Sequence, residues 1–330
     1  MRAQLLHSFG DSPDFRPGDI PKPEIEPGQV LIRVAATSVN PVDIKIRRLA
    51  PFFAPKLPWV MGMDVAGVVE QAGTGAGHFK PGDEVYGCAG GLLDMPGALA
   101  QYMPADARLI AKKPASLTMR QAAALPLVTI TAWEALYERA DIKPGQNVLV
   151  HAGTGGVGHV AVQLAKARGA RVSATVSSPD KAKLVKSLGA HEAVNYREET
   201  VEAYVQRLTG ERKGFNVVFD TVGGANLEAS FQAARLYGQV TCTNTRASHD
   251  LILVHEKALT LHAVFMLLPL IYGQGREHHG AVLRMAAAMV DAGQLTPLID
   301  PAVFGLDDIN QAHSFLESGR AVGKVVVDVA

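Results

Sequence analysis

The sequence predicts an α/β protein in which a doubly wound parallel sheet is combined with a separate all-β unit. Three observations predict this fold class. Short β-type runs fill the first third of the chain, whereas strand-like and helix-like segments alternate after Thr118. A glycine-rich stretch, residues 153–158, lies between a predicted strand and a predicted helix, where a βα turn is expected. The length of 330 residues allows two domains, each with its own core.

The all-β unit is predicted from apolar and β-branched runs that are separated by turn residues. The turns include Glu26-Pro27-Gly28 and Lys80-Pro81-Gly82-Asp83, and the predicted strands are residues 30–35, 65–70 and 84–86. A second glycine-rich stretch, residues 73–77, is followed by a turn and a strand rather than by a helix. We therefore predict a hairpin at that position.

The second unit is predicted from alternating strands and helices. The strands are residues 147–151, 171–176, 216–220, 239–243 and 260–265, and the helices are residues 159–168, 180–188, 200–209 and 226–234. Two further helices, residues 279–292 and 307–317, precede a final strand, residues 324–329, that is expected to return to the all-β unit. The predicted division is 1–121 for the first part of the all-β domain, 122–265 for the parallel-sheet domain and 266–330 for the return.

Composition excludes several classes of protein. Lys plus Arg and Asp plus Glu both number 32, so the formal net charge is zero and no broad field attracts nucleic acid or an anionic membrane. Only two cysteines occur, which excludes a disulfide framework and a cysteine-based zinc site. Residues 1–10 lack the apolar core of a signal peptide. We expect a soluble cytoplasmic protein without a nucleic-acid or membrane partner.

The glycine-rich stretch fits the spacing G-x-G-x-x-G through Gly153, Gly155 and Gly158. In this motif the first glycine allows a tight turn, the second lets the backbone approach a pyrophosphate, and the third lets the helix pack on the strand. The helix N-terminus supplies N–H groups and positive potential. The pattern indicates a dinucleotide site, and the alternative is an ordinary glycine-rich βα turn.

The end of the next strand indicates which dinucleotide binds. NAD-binding proteins place Asp or Glu there against the ribose 2′-hydroxyl, but this chain has Ser177, Ser178 and Pro179. Ser177 and Lys181 could hold a 2′-phosphate at the start of the following helix, so NADPH is the predicted cofactor. In the alternative, Ser178 is only an N-cap before Pro179, and Lys181 is a solvated charge.

Six motifs occur in the order found in a known superfamily. They are Asn40-Pro-Val-Asp43, Gly62-Met-Asp-Val-Ala-Gly67, Phe79-Lys-Pro-Gly-Asp-Glu-Val85, Ala122-Ala-Ala-Leu-Pro126, the glycine-rich stretch and Asp220-Thr-Val-Gly-Gly224. From end to end the chain resembles the medium-chain dehydrogenase/reductase superfamily, and within it the zinc-free quinone oxidoreductases, the zeta-crystallin-like branch that includes enone and alkenal reductases. The resemblance implies a GroES-like β-barrel catalytic domain, a Rossmann domain that binds NADPH, and a homodimer.

The resemblance also implies individual cofactor residues. They are Gly156 and Val157 in the loop, Tyr196 beside the adenosine phosphate, Thr131 near the nicotinamide, and Val222 and Phe265 in the nicotinamide pocket. Thr129 is a rival for the role of Thr131.

Metal-binding positions of the superfamily are altered in this chain. The zinc-containing alcohol dehydrogenases carry a metal-binding Cys where this chain has Asn40, and a His followed by Glu where it has Met63 and Asp64. Because neutral amide and thioether groups are poor zinc ligands, no bound metal is predicted. Hydrogen-bond donors or a cation must then stabilise negative charge on the substrate oxygen.

Lys45 is the predicted donor, because Lys at this position resembles the alkenal and enone reductases, where many quinone reductases have Tyr. Asn40 is expected to orient substrate or water, and Asp43 to hold Lys45 or the loop. In the alternatives, Lys45 belongs to a surface cluster with Arg47 and Arg48, Asn40 and Asp43 only cap turns, and water supplies the proton.

The sequence therefore predicts a zinc-independent oxidoreductase that transfers hydride from NADPH to a hydrophobic quinone or an α,β-unsaturated carbonyl. A zinc-free alcohol or aldehyde reductase is one alternative. The other is a protein that binds NADPH without turnover, in a structural or sensor role.

Overall fold

The computed structural model describes residues 1–330, apart from the side chain of Arg212. The strands, in chain order, are β1 (Arg2–Leu6), β2 (Phe15–Asp19), β3 (Gln29–Val39), β4 (Trp59–Val60), β5 (Asp64–Ala72), β6 (Glu84–Cys88), β7 (Tyr102–Asp106), β8 (Ile110–Lys112), β9 (Asn147–Val150), β10 (Arg171–Val176), β11 (Glu192–Asn195), β12 (Phe215–Asp220), β13 (Ala234–Cys242), β14 (Thr260–Ala263), β15 (Phe304–Gly305) and β16 (Val325–Asp328). The α-helices are α1 (Pro41–Leu49), α2 (Met119–Ala123), α3 (Pro126–Trp133), α4 (Gly156–Ala167), α5 (Pro179–Ser187), α6 (Val201–Thr209), α7 (Asn226–Ala233), α8 (Ile252–Glu256), α9 (Leu268–Tyr272), α10 (Arg276–Asp291) and α11 (Ile309–Glu317).

One compact unit is rich in β-strands and is built from three segments of the chain. A mixed sheet with the order β15-β16-β3-β5-β6-β8 runs through this unit, and β7 also pairs with β3. The central strands β3 and β5 bury apolar side chains such as Ile32 and Val65, and each such burial stabilises a fold by about 1.5–3 kcal/mol. The segments are Met1–Ile130, Leu267–Gly293 and Pro297–Ala330.

The C-terminal strand β16 pairs antiparallel with β3, with Val325 opposite Val39. This pairing confirms that the last strand returns to the β-rich unit. Because antiparallel neighbours run in opposite directions, one end of the sheet collects the residue before β16, the residue after β3 and the first residue of β5. These residues are Lys324, Asn40 and Asp64.

The other compact unit, Thr131–Met266 with Gln294–Thr296, contains a parallel sheet. The strand order is β11-β10-β9-β12-β13-β14, so the chain starts in the middle and winds outwards in both directions. This order confirms the predicted doubly wound sheet, and ligands of such sheets bind at the carboxyl ends of the strands. Leu149, Val218 and Phe231 have no exposed surface and belong to the core of this unit.

The predicted elements differ from the structure mainly at their ends. The sequence predicted that α4 begins at residue 159, but the helix begins at Gly156. The prediction missed the first turn because it contains glycines, which have low helix propensity. Strand β13 begins at Ala234 instead of residue 239, where its pairing with β12 is irregular. Seven strands were not predicted, and they are β1, β2, β4, β7, β8, β11 and β15. The hairpin around residues 73–77 is confirmed by the antiparallel pairing of β5 with β6.

In the part of the chain that the structure describes, no helix combines the length and the apolar character needed to cross a membrane.

Candidate functional site

The glycine-rich loop joins β9 to α4 at the carboxyl edge of the parallel sheet. Gly155 is the N-cap of α4, with an extended backbone at φ −82° and ψ 177°. Gly156, Val157 and Gly158 form the first turn, whose N–H groups have no acceptor within the helix. These N–H groups and the positive end of the helix dipole suit a pyrophosphate.

Close packing explains why the motif positions are glycines. A Cβ atom on Gly158 would lie 2.0 Å from the carbonyl oxygen of Ala152, and one on Gly153 would lie 2.6 Å from the Ala174 Cβ atom. On Gly155 the nearest atom, again the Ala152 oxygen, would be 3.1 Å away, which is a tight contact but a less severe one. The loop forms a cradle that only glycine leaves open, and it fits a dinucleotide.

The left-handed residue of this turn is Ala152, with φ +50°, and not one of the motif glycines. Thr175 holds the turn, because its Oγ1 accepts the Ala152 N–H and its carbonyl oxygen accepts the Gly153 N–H, both at 3.0 Å. His151 Nδ1 lies 3.2 Å from the same hydroxyl, and burial lowers the pKa of His151. The sequence did not identify Thr175 or His151, since a buried polar residue at a strand end has no motif.

Ser177 and Tyr196 follow the ends of neighbouring strands. β10 ends at Val176 and β11 at Asn195, and these residues are partners in the parallel pairing. The Tyr196 side chain is exposed, and β10 is followed by Ser177, Ser178 and Pro179 without a carboxylate. The predicted phosphate-binding residues are thus brought to one edge of the sheet.

Lys181 lies in the first turn of α5, directly after this strand end. Ser178 is the N-cap of α5, and its Oγ accepts the Lys181 N–H at 3.3 Å, with Pro179 as the first helical residue. The capping role of Ser178 is therefore confirmed. This capping hydrogen bond joins the Ser178 hydroxyl to the Lys181 backbone N–H, so the Ser177 hydroxyl and the Lys181 ammonium group take no part in it.

Asp220, at the end of β12, caps the loop that follows it. Its Oδ1 accepts the N–H groups of Val222 and Gly223, each at 2.8 Å, and its Oδ2 accepts the Ser230 hydroxyl at 3.0 Å. Asp220 therefore caps the turn that follows β12. Val222 is 49% exposed, and Phe265, which follows β14 at the same edge of the sheet, is 37% exposed.

Thr131 and its rival Thr129 both lie in α3. Thr131 is 6% exposed, whereas Thr129 has no exposed surface, and its Oγ1 has no hydrogen-bond partner among the residues described. Of these two threonines, only Thr131 has any exposed surface.

A buried polar cluster, consisting of Ser38, Asn40, Asp43, Asp64 and Lys324, lies at one end of the mixed sheet. Asp64 Oδ2 accepts hydrogen bonds from Ser38 Oγ at 2.6 Å and from Asn40 Nδ2 at 2.8 Å. Lys324 Nζ lies 3.3 Å from the same oxygen and also donates to Asn40 Oδ1. Both ends of the Asn40 amide are therefore engaged, and Asn40 has no exposed surface.

Asp43 holds the turn before α1. Its Oδ2 accepts the N–H of Asn40, the N-cap of α1, at 2.8 Å, which is the reach-back bond of a capping box. Burial raises the pKa of Asp43 to about 7, and the charge of Asp64 adds to the rise, whereas the Asn40 N–H and the Lys324 charge oppose it. Asp43 Oδ1 has no hydrogen-bond partner in the described structure.

Removing the Asp43 carboxyl group should change how stability depends on pH. The pKa of this group rises from 3.8 to about 7 on folding, so between those values the folded state keeps a proton that the unfolded state has lost. Asp43 therefore makes the free energy of unfolding fall as the pH rises from about 4 to about 7, by up to roughly 1.4 kcal/mol per pH unit. Asp43→Asn retains an oxygen for the Asn40 N–H and should remove this fall.

Urea unfolding at a series of pH values measures the effect. Asp94→Asn, at an exposed position, is the control for loss of one negative charge. An equal pH dependence in the wild type and in Asp43→Asn would contradict the prediction.

Lys45 lies on α1 and is half-buried at the edge of a surface depression of about 470 Å³. The alternative of a basic surface cluster is wrong for Arg47, which has no exposed surface and donates to Glu317 at 2.6 Å. Arg48 pairs with Asp11 at 2.8 Å. The depression is lined by Pro41, Ile44, Lys45, Arg48, Leu49, Leu316 and Glu317.

Cys88 lies opposite Asp64 in the β5–β6 pairing. Burial raises the pKa of the Cys88 thiol, and the charges of Asp64 and Asp43 add to the rise, so the thiol is held in its neutral, poorly ligating form. In the described residues, no group of three or more His, Cys, Asp or Glu side chains is arranged to hold a metal ion.

Comparisons with known proteins match both units of the chain. The family model for the alcohol dehydrogenase GroES-like domain matches residues 26–115, and the model for zinc-binding dehydrogenase matches residues 156–279. The chain is 38% identical over 313 residues to 2-methylene-furan-3-one reductase of Solanum lycopersicum, covering 92% of this chain and 73% of that protein. It is 35% identical to the chloroplastic NADPH-dependent alkenal/one oxidoreductase of Arabidopsis thaliana, covering 99% and 79%.

Solved structures are similar over the full length. An alcohol dehydrogenase superfamily protein from Novosphingobium aromaticivorans has a TM-score of 0.95 and 40% identity, with 100% of both chains covered. The Escherichia coli quinone oxidoreductase complexed with NADPH has a TM-score of 0.88 and 27% identity, again with 100% of both chains covered. These matches confirm the predicted GroES-like domain and Rossmann-type sheet. The chain belongs to the medium-chain dehydrogenase/reductase superfamily, as the order of its motifs predicted.

Proposed function

We propose that this chain is an NADPH-dependent oxidoreductase that reduces quinones and α,β-unsaturated carbonyls without a metal ion. The observation that carries the proposal is the glycine cradle at Gly155 and Gly158, together with Ser177 after the end of the neighbouring strand β10 and Lys181 in the first turn of α5, where no carboxylate is present. The similarity to proteins named as an alkenal/one oxidoreductase and a quinone oxidoreductase supports the class of acceptor.

The proposed cofactor residues fall into three groups. NADPH, when bound, supplies a hydride from its nicotinamide ring. The glycine-rich loop would hold the pyrophosphate, and the residues after β10 and β11 would hold the phosphorylated ribose. Helix α3 and the segments after β12 and β14 would hold the nicotinamide. These residues are Gly153, Gly155, Gly156, Val157 and Gly158 in the first group, Ser177, Lys181 and Tyr196 in the second, and Thr131, Val222 and Phe265 in the third.

Lys45 is the proposed catalytic group. Hydride addition to the β-carbon of an enone leaves negative charge on the carbonyl oxygen, and a nearby donor can stabilise that charge. Lys45 would stabilise the enolate and donate a proton to it. Asn40 and Asp43 would fix the first turn of α1, the helix that carries Lys45. The apolar walls beside Lys45, including Ile44 and Leu316, suit a hydrophobic acceptor. A cytoplasmic homodimer is part of the same proposal and rests on the family resemblance.

Turnover with a panel of acceptors tests this function. We expect NADPH oxidation, followed by absorbance, to be accelerated by enones and quinones, and chelators to leave the rate unchanged. Acceleration by aldehydes alone would favour an aldehyde reductase. NADPH binding without acceleration by any acceptor would favour a non-catalytic binding protein, and activity lost on chelation would overturn the metal-free mechanism.

Replacing Lys181 by glutamate should weaken the binding of NADPH selectively. A charge-assisted hydrogen bond to the 2′-phosphate contributes about 1.5–3 kcal/mol, so the KM for NADPH should rise about tenfold or more. The KM for NADH should change little, because NADH lacks that phosphate. Lys183→Glu, which changes a highly exposed lysine of the same helix, is the matched control. An equal rise of the KM for NADPH and for NADH in Lys181→Glu would show that Lys181 does not bind the 2′-phosphate.

A further inference from the structure

Asp64 and Lys324 form a buried ion pair to which the proposed reaction assigns no role. Their side chains are 0% and 2% exposed, and Asp64 Oδ2 lies 3.3 Å from Lys324 Nζ. Ser38 and Asn40 also donate to Oδ2, while the Leu127 N–H donates to Oδ1 at 2.8 Å. Both oxygens of this carboxylate are thus committed to groups on different elements of the β-rich unit.

Lys324 is equally committed. An ammonium group has three N–H donors, and the acceptors around Lys324 Nζ are the Val39 carbonyl oxygen at 3.5 Å, Asn40 Oδ1 and Asp64 Oδ2. These acceptors engage every donor of the ammonium group, so none remains for a substrate. Lys324 can influence a reaction only through the residues that it holds.

The ion pair holds the starts of two helices that carry proposed site residues. Asn40 immediately precedes α1, which carries Lys45. Leu127 lies in the first turn of α3, which carries Thr131, and the N–H groups of a first turn need an acceptor outside the helix. Asp64 therefore connects the beginning of α1, through Asn40, with the beginning of α3.

Energetics favour a positioning role over a purely stabilising one. A buried ion pair loses so much hydration energy that well-packed apolar residues are often equally stabilising. An ion pair whose donors and acceptors are all engaged fixes the positions of the groups that it binds. Here the geometry is fixed by a residue from the C-terminal segment, which reaches the cluster because β16 lies beside β3.

We propose that Asp64 and Lys324 are positioning residues for the proposed reaction, because their buried ion pair fixes the first turns of α1 and α3 against one end of the mixed sheet. This inference rests on the proposed function, since Lys45 and Thr131 are the groups that it positions.

Lys324→Met and Lys324→Arg test the proposal. We expect Lys324→Met to lower kcat for enone reduction about tenfold or more, because small displacements of reacting groups are costly, while the KM for NADPH changes less than about threefold. Lys324→Arg retains the cation and should recover much of the loss. A kcat in folded Lys324→Met equal to that of the wild type would overturn the proposal, as would Lys324→Arg being no better than Lys324→Met.

Tyr86→Phe is the matched control, because it removes a buried hydrogen bond of 2.6 Å from the same sheet to the Leu283 carbonyl oxygen, outside the buried polar cluster. It should lower thermal stability without lowering kcat, and a fall in kcat as large as that in Lys324→Met would overturn the proposal. If Lys324→Met does not fold, Ser38→Ala removes a single donor to Asp64 and should still lower kcat measurably.

Amide hydrogen exchange gives a readout that does not depend on turnover. The Leu127 N–H should exchange about tenfold faster in Lys324→Met, because Asp64, which accepts its hydrogen bond, has lost its counter-ion and is no longer held in place. Exchange at Leu127 should not change in Tyr86→Phe. Unchanged exchange at Leu127 in Lys324→Met would overturn the positioning role. If the wild type reduces no acceptor, the proposed function fails, whereas the exchange experiment still tests whether the pair fixes α3.

Discussion

Gly158→Ala is expected to lower the affinity for NADPH by about tenfold or more, which corresponds to at least about 1.4 kcal/mol of binding free energy. The added Cβ atom would lie 2.0 Å from the Ala152 oxygen and 2.8 Å from the Ala152 carbonyl carbon, so α4 and the loop must separate. Overpacking of this kind typically costs about 1–3 kcal/mol of stability. Separation also moves the first-turn N–H groups away from the pyrophosphate.

Two further glycine variants make this prediction specific. Gly155→Ala places the Cβ atom 3.1 Å from the Ala152 carbonyl oxygen, so the chain should lose less stability than with Gly158→Ala but bind NADPH poorly. Gly305→Ala, in the other unit, would meet its nearest atom at 3.5 Å and should change neither property. Fluorescence titration with NADPH and thermal unfolding measure the two quantities. If Gly155→Ala and Gly158→Ala both fold and bind NADPH with wild-type affinity, the glycine-rich loop is not the pyrophosphate site.

Sequence predicted the parallel-sheet unit well because its determinants are local. The glycine spacing, the strand before it and the helix after it lie within a short stretch, and Gly153 and Gly158 each have an identifiable packing reason in the structure. Even here the spacing did not show which residue adopts the left-handed conformation. Ala152 takes it because Thr175, on the neighbouring strand, holds the N–H groups of Ala152 and Gly153.

The buried polar cluster could not be predicted, because its partners are distant in sequence. Lys324 donates to Asn40 across 284 residues and to Asp64 across 260 residues. No motif surrounds Lys324, and its burial follows from the pairing of β16 with β3. Arg47 shows the same limitation, since one alternative placed it in a surface cluster, whereas it is buried and donates to Glu317 on α11.

Lys45→Met is expected to lower kcat for enone reduction about a hundredfold, while the KM for NADPH stays within about threefold of the wild-type value. The reason is that the side chain would stabilise charge that develops on the substrate oxygen only in the transition state. Loss of such an interaction affects kcat, whereas cofactor binding depends on the glycine loop and the ends of β10 and β11. Steady-state kinetics at saturating NADPH measure both constants.

Lys45→Arg and Lys56→Met separate the possible causes of that loss. Arg keeps the positive charge but holds its proton at any accessible pH, so an active Lys45→Arg variant would show that charge stabilisation suffices and that water supplies the proton. Lys56→Met removes an exposed lysine from the same unit and should leave kcat unchanged. A wild-type kcat in Lys45→Met would show that Lys45 is not the donor, and the metal-free reaction would then rely on holding the acceptor against the nicotinamide, with water as the proton source.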